Sequence, residues 1–184
     1  VYGAASLRSA VAQSINDADA SLVSDSAESW LGDSLQAPGD VDGDGLDDIF
    51  VGAQSTQTTV TGQRGAAHLI LGSSTRFSGA INASAVFAAS WVCDLDDYRF
   101  GYFIHGGDLD SDGQTDVVVT GSPESGGPSF AASESSGAFV FYGPISGTKY
   151  ASQADGRLNL AGQYGGGPAA RMSDIDGDGT PELA

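Results

Sequence analysis

The apolar positions of this 184-residue chain fall in short runs separated by glycine and polar stretches. Ile49-Phe50-Val51 and Val117-Val118-Val119 are β-branched or aromatic and lead shortly into glycine. Ala67-His68-Leu69-Ile70-Leu71 and Ala138-Phe139-Val140-Phe141-Tyr142 have the same character and close on Gly72 and Gly143. Such runs predict strands. Weaker signals precede and follow them. Trp30-Leu31-Gly32, Phe100-Gly101-Tyr102-Phe103 and Tyr164-Gly165-Gly166-Gly167 come before. Ala20-Ser21-Leu22-Val23, Ala85-Val86-Phe87-Ala88 and Leu158-Asn159-Leu160 come after. Ala4 to Ala12 has some helical character, but it aligns with Gly72 to Ala80 and is read as loop.

These signals recur. Val1-Tyr2-Gly3, Ile70-Leu71-Gly72 and Phe141-Tyr142-Gly143 are strand ends closed by glycine, spaced almost evenly along the chain. The period that Gly3, Gly72 and Gly143 mark holds four strand signals. It predicts an all-β chain of β-propeller blades, each of four antiparallel strands. A blade packed on both faces accounts for apolar runs without clean alternation, such as Val117 to Val119. A β-sandwich would not repeat, and a parallel β-helix repeats at far shorter intervals. The expected division is the end of one blade at 1–29, whole blades at 30–97 and 98–163, and the start of another at 164–184. That is a partial propeller, two complete blades plus parts of two others.

An acidic nonapeptide sits at the same place in each period. It reads D-x-D-x-D-G-x-x-D at Asp40 to Asp48 and at Asp108 to Asp116, and ends in Glu at Asp174 to Glu182. Carboxylates at alternate positions of a tight loop repel one another unless a cation sits among them. Hard oxygen donors in a flexible loop suit Ca²⁺ better than Mg²⁺. Glycine at position six permits the turn. The expected side-chain ligands are positions one, three, five and nine, with a backbone carbonyl from position seven. These are Asp40, Asp42, Asp44, Leu46 and Asp48; then Asp108, Asp110, Asp112, Gln114 and Asp116; then Asp174, Asp176, Asp178, Thr180 and Glu182. Three Ca²⁺ ions follow, the third held most weakly because of Pro181. An EF-hand shares the opening but needs Glu at position twelve and flanking helices. Here position twelve is Val51 or Val119, inside a strand signal.

The net charge is −17, and half of the 24 acids are these loop carboxylates. Three Ca²⁺, six positive charges, would bring it to −11. Such acidity argues against nucleic acid and anionic membrane surfaces as partners. No apolar run approaches the roughly 20 residues of a membrane helix. Cys93 is the single cysteine, so no intrachain disulfide forms, which fits a reduced compartment or a bacterial-type secreted protein. Loops of this kind favour a place outside the cytosol, where Ca²⁺ is plentiful. There is no signal peptide, and a start at Val1 rather than Met reads as a processed or excised end.

Taken together, these residues resemble the FG-GAP repeat family, the propeller of integrin α-subunits and related bacterial surface proteins. The Phe-Gly element is Phe100-Gly101, with Leu31-Gly32 and Gly166-Gly167 in its place elsewhere. The Gly-Ala-Pro element is Gly52-Ala53-Gln54 and Gly121-Ser122-Pro123. The resemblance implies that each loop joins the first two strands of a blade. It also implies a non-catalytic, extracellular or cell-surface module for cell adhesion or for binding a protein ligand. A carbohydrate-binding propeller, or an accessory propeller of a secreted enzyme, is the alternative. Integrin propellers have seven blades and several disulfides; this chain has neither, which suggests a non-animal relative.

The remaining candidates read as structural. His68 and His105 lack convergent partners in the sequence, and Cys93 in Trp91-Val92-Cys93 reads as a small buried hydrophobe. Asp94, Asp96 and Asp97 could pair as glycosidase acids but read as turn acids. Asn82-Ala83-Ser84 is a glycosylation sequon. Trp91, Tyr98 and Arg99, at the end opposite the acidic loops, are residue types suited to a ligand surface or to the seam between blades. Fewer than three blades cannot close a ring, and a continuous one would lack counterparts of Val119 to Val140. The expected partners are therefore the remainder of a larger propeller or a second copy of the chain.

Overall fold

The computed structural model describes residues 18–25, 29–57, 63–95, 98–123, 136–159, 172–173 and 182–183. Within them the chain is almost entirely strand. In order these are β1 (Ala20–Val23), β2 (Leu31–Gly39), β3 (Asp48–Gln57), β4 (Gln63–Ile70), β5 (Gly79–Asn82), β6 (Phe87–Val92), β7 (Tyr98–Gly107), β8 (Asp116–Pro123), β9 (Gly137–Phe141), β10 (Gly147–Tyr150), β11 (Gly156–Asn159), β12 (Met172–Ser173) and β13 (Glu182–Leu183). Two single 3₁₀ turns, Ala83–Ala85 and Ala151–Gln153, follow β5 and β10. Among the described residues no helix is long and apolar enough to cross a membrane.

Two four-stranded antiparallel meanders make up the body. In the first, β2 pairs β3, β3 pairs β4 and β4 pairs β6. In the second, β7 pairs β8, β8 pairs β9 and β9 pairs β11. These are two propeller blades. β1 lies before them, and the β12–β13 hairpin after them. The sheets stay open, as expected of a partial propeller. The weak fourth-strand signal at Ala85 to Ala88 is displaced: β6 starts at Phe87 and runs to Val92, because Trp91 and its neighbours pair with β4.

Two strands were not expected. β5 and β10 fall in the link between the third and fourth strands of each blade, where the sequence reads as loop. Neither has apolar periodicity of its own. Each forms by pairing parallel to the outer strand of the preceding blade, β5 on β1 and β10 on β6. Tertiary pairing here overrides a weak local signal.

The blades meet along an aromatic seam. Phe50 and Trp91 of the first blade and Tyr98, Phe100, Phe139 and Phe141 of the second are all buried in one cluster. Trp91 faces Phe141 across the seam at 6.4 Å, and Phe100 meets Phe139 edge-on at 5.2 Å. Each such ring contributes about 1.5–3 kcal/mol by burial. Backbones also meet directly, β4 running parallel to β7 over Gln63–Gly65 and Tyr98–Phe100. Gly65 and Gly101 sit at that crossing with φ of 95° and 86°. A Cβ on Gly65 would overlap the Phe100 carbonyl, and one on Gly101 the Ala66 carbonyl. The glycine of Phe100-Gly101 is thus required by backbone contact between blades.

That seam decides between the two readings of Trp91 and Tyr98, in favour of packing between blades. Trp91 and Tyr98 are core residues, and the Tyr98 hydroxyl donates to the Gly121 carbonyl at 2.9 Å. They do not present a ligand surface. Arg99 is half-buried. Most of the turns at that end, within 58–62, 96–97 and 124–135, lie outside the described residues.

Candidate metal centre

Each acidic loop joins the first and second strands of its blade, β2 to β3 and β7 to β8. In the antiparallel ladder the residue before position one faces position nine, Gly39 opposite Asp48 and Gly107 opposite Asp116. The third copy keeps this register, with Ser173 opposite Glu182. Asp174, Asp176, Asp178 and Thr180 lie outside the described residues.

The carboxylate at position one organises the loop. Asp40 accepts from the amides of Gly43 (2.7 Å), Asp44 (3.0 Å) and Gly45 (2.8 Å). Asp108 accepts likewise from Asp112 (3.1 Å) and Gly113 (2.9 Å). Positions three and five each accept from the amide two residues on: Asp42 from Asp44 and Asp44 from Leu46, Asp110 from Asp112 and Asp112 from Gln114. The turns this requires are left-handed at position six, φ 89° at Gly45 and 85° at Gly113. Position four is left-handed too, Gly43 at 81° but Ser111 at 62°, a conformation that costs a side chain about 1–2 kcal/mol.

Position nine is different. Asp48 and Asp116 are buried, and both oxygens of each are engaged. Asp48 accepts from Val41 N (2.7 Å) and Gly72 N (2.7 Å). Asp116 accepts from Leu109 N (2.6 Å) and Gly143 N (2.9 Å). The glycines that close each third strand therefore have a structural reason. Their amides hold the position-nine acid, and a Cβ on Gly72 would press on Asp47 and Leu46 of the loop. Only the recurrence of those glycines pointed to them in the sequence.

The loops gather different oxygens. In the first, one oxygen from each of Asp40, Asp42 and Asp48 lies within 4.8 Å of the others. In the second the trio is Asp108, Asp110 and Asp112. Oxygens that far apart can share one cation at bond lengths of about 2.3–2.6 Å, the range of Ca²⁺. Asp44 and Asp116 stand outside these trios. Gln114 turns its side-chain amide to Asp112 at 2.7 Å. Asp110 is exposed, so the desolvation it meets is only partial. Its carboxyl is held above the ordinary value first by that desolvation and then by the charges of Asp112, Asp116 and Asp108, against one lowering amide bond.

Two sequence comparisons bear on this arrangement. The FG-GAP repeat pattern matches residues 34–70, and the FG-GAP-like repeat pattern matches residues 108–184. Together they take in more than half of the chain and both described loops. The chain belongs to the FG-GAP repeat family. No curated protein matches it. The FG-GAP assignment accounts for the β-propeller-like repeat, and the two acidic trios supply positions that could hold a metal ion.

The other sequence candidates have structural roles. His68 is buried, bonds Ser90 through Nδ1 at 2.8 Å and stacks on Phe87 at 3.8 Å. Burial lowers its pKa to about 4. His105 is also lowered by burial. Cys93 is buried, its thiol 3.5 Å from the Tyr98 carbonyl. Asp94 accepts from Ser152 of the next blade, at 2.9 Å from its amide and also from its hydroxyl. Asp96 and Asp97 lie outside the described residues.

Proposed function

We propose that this chain is a non-catalytic FG-GAP propeller module whose acidic loops bind Ca²⁺ as a structural ion, one per loop, and whose place is extracellular or at the cell surface. The observation that carries this reading is the convergence of three carboxylates in each described loop, on a scaffold of amide donors that is nearly the same in both. Asp40, Asp42 and Asp48 would hold the first ion and Asp108, Asp110 and Asp112 the second, with Asp44 and Asp116 and the carbonyls of Leu46 and Gln114 completing the sets. The third ion would use Asp174, Asp176, Asp178, Thr180 and Glu182. The ion supplies positive charge where four carboxylates crowd, and no step of chemistry is assigned to it. The module's task is adhesion or binding of a protein ligand, within a propeller completed by further blades.

Thermal melting with and without chelator tests the structural ion. A ligand that binds only the folded state stabilises by about 2.7 kcal/mol at a hundredfold excess over Kd. The midpoint should fall on chelation and recover with Ca²⁺ but not with Mg²⁺. A midpoint indifferent to chelator sinks the proposal. A glycan array separates protein binding from the carbohydrate-binding alternative.

A further inference from the structure

Asn82-Ala83-Ser84 belongs neither to the acidic loops nor to the aromatic seam. The chain has three asparagines, Asn16, Asn82 and Asn159, and only Asn82 stands two residues before a serine or threonine. It ends β5 and caps the first 3₁₀ turn, its own backbone still extended at φ −63° and ψ 119°. Its side-chain Oδ1 accepts twice from Ser84, from the amide at 3.1 Å and from the hydroxyl at 3.0 Å. Its Nδ2 donates to Asp25. Asn82 and Ser84 are exposed, while Ala83 between them is buried and anchors the turn.

The second blade gives the contrast. Its link opens on Gly147 as the first opens on Gly79, and both read Gly-x-x-x-Ala-Ser into a 3₁₀ turn. There Tyr150 stands in the place of Asn82. Ser152 gives both its amide and its hydroxyl to Asp94, across the contact between blades. In the first link the asparagine makes the bond to the acid, Asp25, and Ser84 turns both donors onto the Asn82 carboxamide instead. The serine that ties the second link to its neighbour is thus released in the first, and it holds an exposed asparagine.

We propose that Asn82 is the acceptor of an N-linked glycan, transferred from a lipid-diphosphate-linked oligosaccharide. The proposal rests on the extracellular reading above, because such transfer accompanies export. Two donors on Oδ1 draw charge towards the oxygen and favour the form in which the Nδ2 lone pair is free to attack. Nδ2 bonds to C1 of the first sugar. The bond from C1 to the diphosphate oxygen breaks, and its electron pair leaves with the lipid diphosphate. Nδ2 gives up one of its two protons to the transferring enzyme. The other proton stays, so the glycosylated side chain keeps a donor for Asp25. The Asx turn closes within three residues and needs no distant partner, so it can form before the blade does. In the finished fold an exposed Asn82 lets the sugar leave the surface without displacing a buried group.

The whole chain, placed behind a cleavable export signal in a eukaryotic secretory host, tests this by intact mass. The secreted chain should carry one oligosaccharide. Peptide-N-glycosidase should remove it and leave a carboxylate at position 82, marked by heavy-oxygen water. Ser84→Ala should abolish the added mass and Ser84→Thr should keep it. Export is imposed here, so a folded, secreted chain without sugar at Asn82 overturns this proposal and leaves the extracellular reading standing. Sugar that persists in Ser84→Ala overturns it too. So does an occupied chain that melts more than about 5 °C below the unoccupied one, since the fold would then exclude the glycan.

Discussion

The two whole blades share a meander, a loop and a register, yet their interiors differ. Position 68 of the first carries histidine, bonded to Ser90 and stacked on Phe87. The matching Phe139 of the second packs edge-on against Tyr98 and Phe100. The first loop has Gly43 and Leu46 where the second has Ser111 and Gln114. The trios differ as well, position nine joining in the first and position five in the second. The repeat therefore prescribes the backbone and its amide bonds, while each copy tunes its charges and its core separately.

The deepest shared feature should also be the most costly to break. Asp48→Ala or Asp116→Ala leaves two amides without their charged acceptor. Each should cost about 3–5 kcal/mol in urea denaturation, even with chelator present. Losses differing by more than about 1 kcal/mol would break the equivalence of the two loops.

Acid should separate the blades. His68 stays neutral in the folded chain down to about pH 4, whereas the unfolded chain takes up its proton near 6.5. Its contribution is therefore whole above pH 6.5 and is lost as pH falls from there to about 4. The full loss is on the order of 3 kcal/mol. His68→Phe, which copies the second blade, should flatten that part of the pH–stability curve. A curve with unchanged slope would remove His68 as its source.

Position five should distinguish the loops in metal affinity. Calorimetric Ca²⁺ titration of Asp112→Asn should show one site weakened about tenfold, roughly 1.4 kcal/mol, and Asp44→Asn a smaller change. Equal effects would mean that the two trios are not separate ligand sets.

The smallest expected effect is a gain. Ser111→Gly relieves a left-handed serine and should stabilise by about 1 kcal/mol, read as a higher melting temperature. Gly43→Ser should lose a similar amount. A neutral Ser111→Gly would show that the second loop adapts around its serine.

Much of this was legible in the chain itself. Matched spacing of carboxylates and glycines, with β-branched runs between, determined four-stranded repeats with an acidic loop between two strands, because tight turns and pleated strands are local chemistry; the family resemblance implied that these are the first two strands of a blade. The sequence also singled out Gly72 and Gly143 without giving their purpose. Only the tertiary structure decided that their amides hold Asp48 and Asp116, that Trp91 and Tyr98 belong to a seam, and that β5 and β10 are strands at all. Those facts depend on partners far along the chain, Gly72 for Asp48 and the edge at Ala20 to Val23 for β5. A segment whose only stabilising neighbour is the edge of another blade carries no periodicity to announce it.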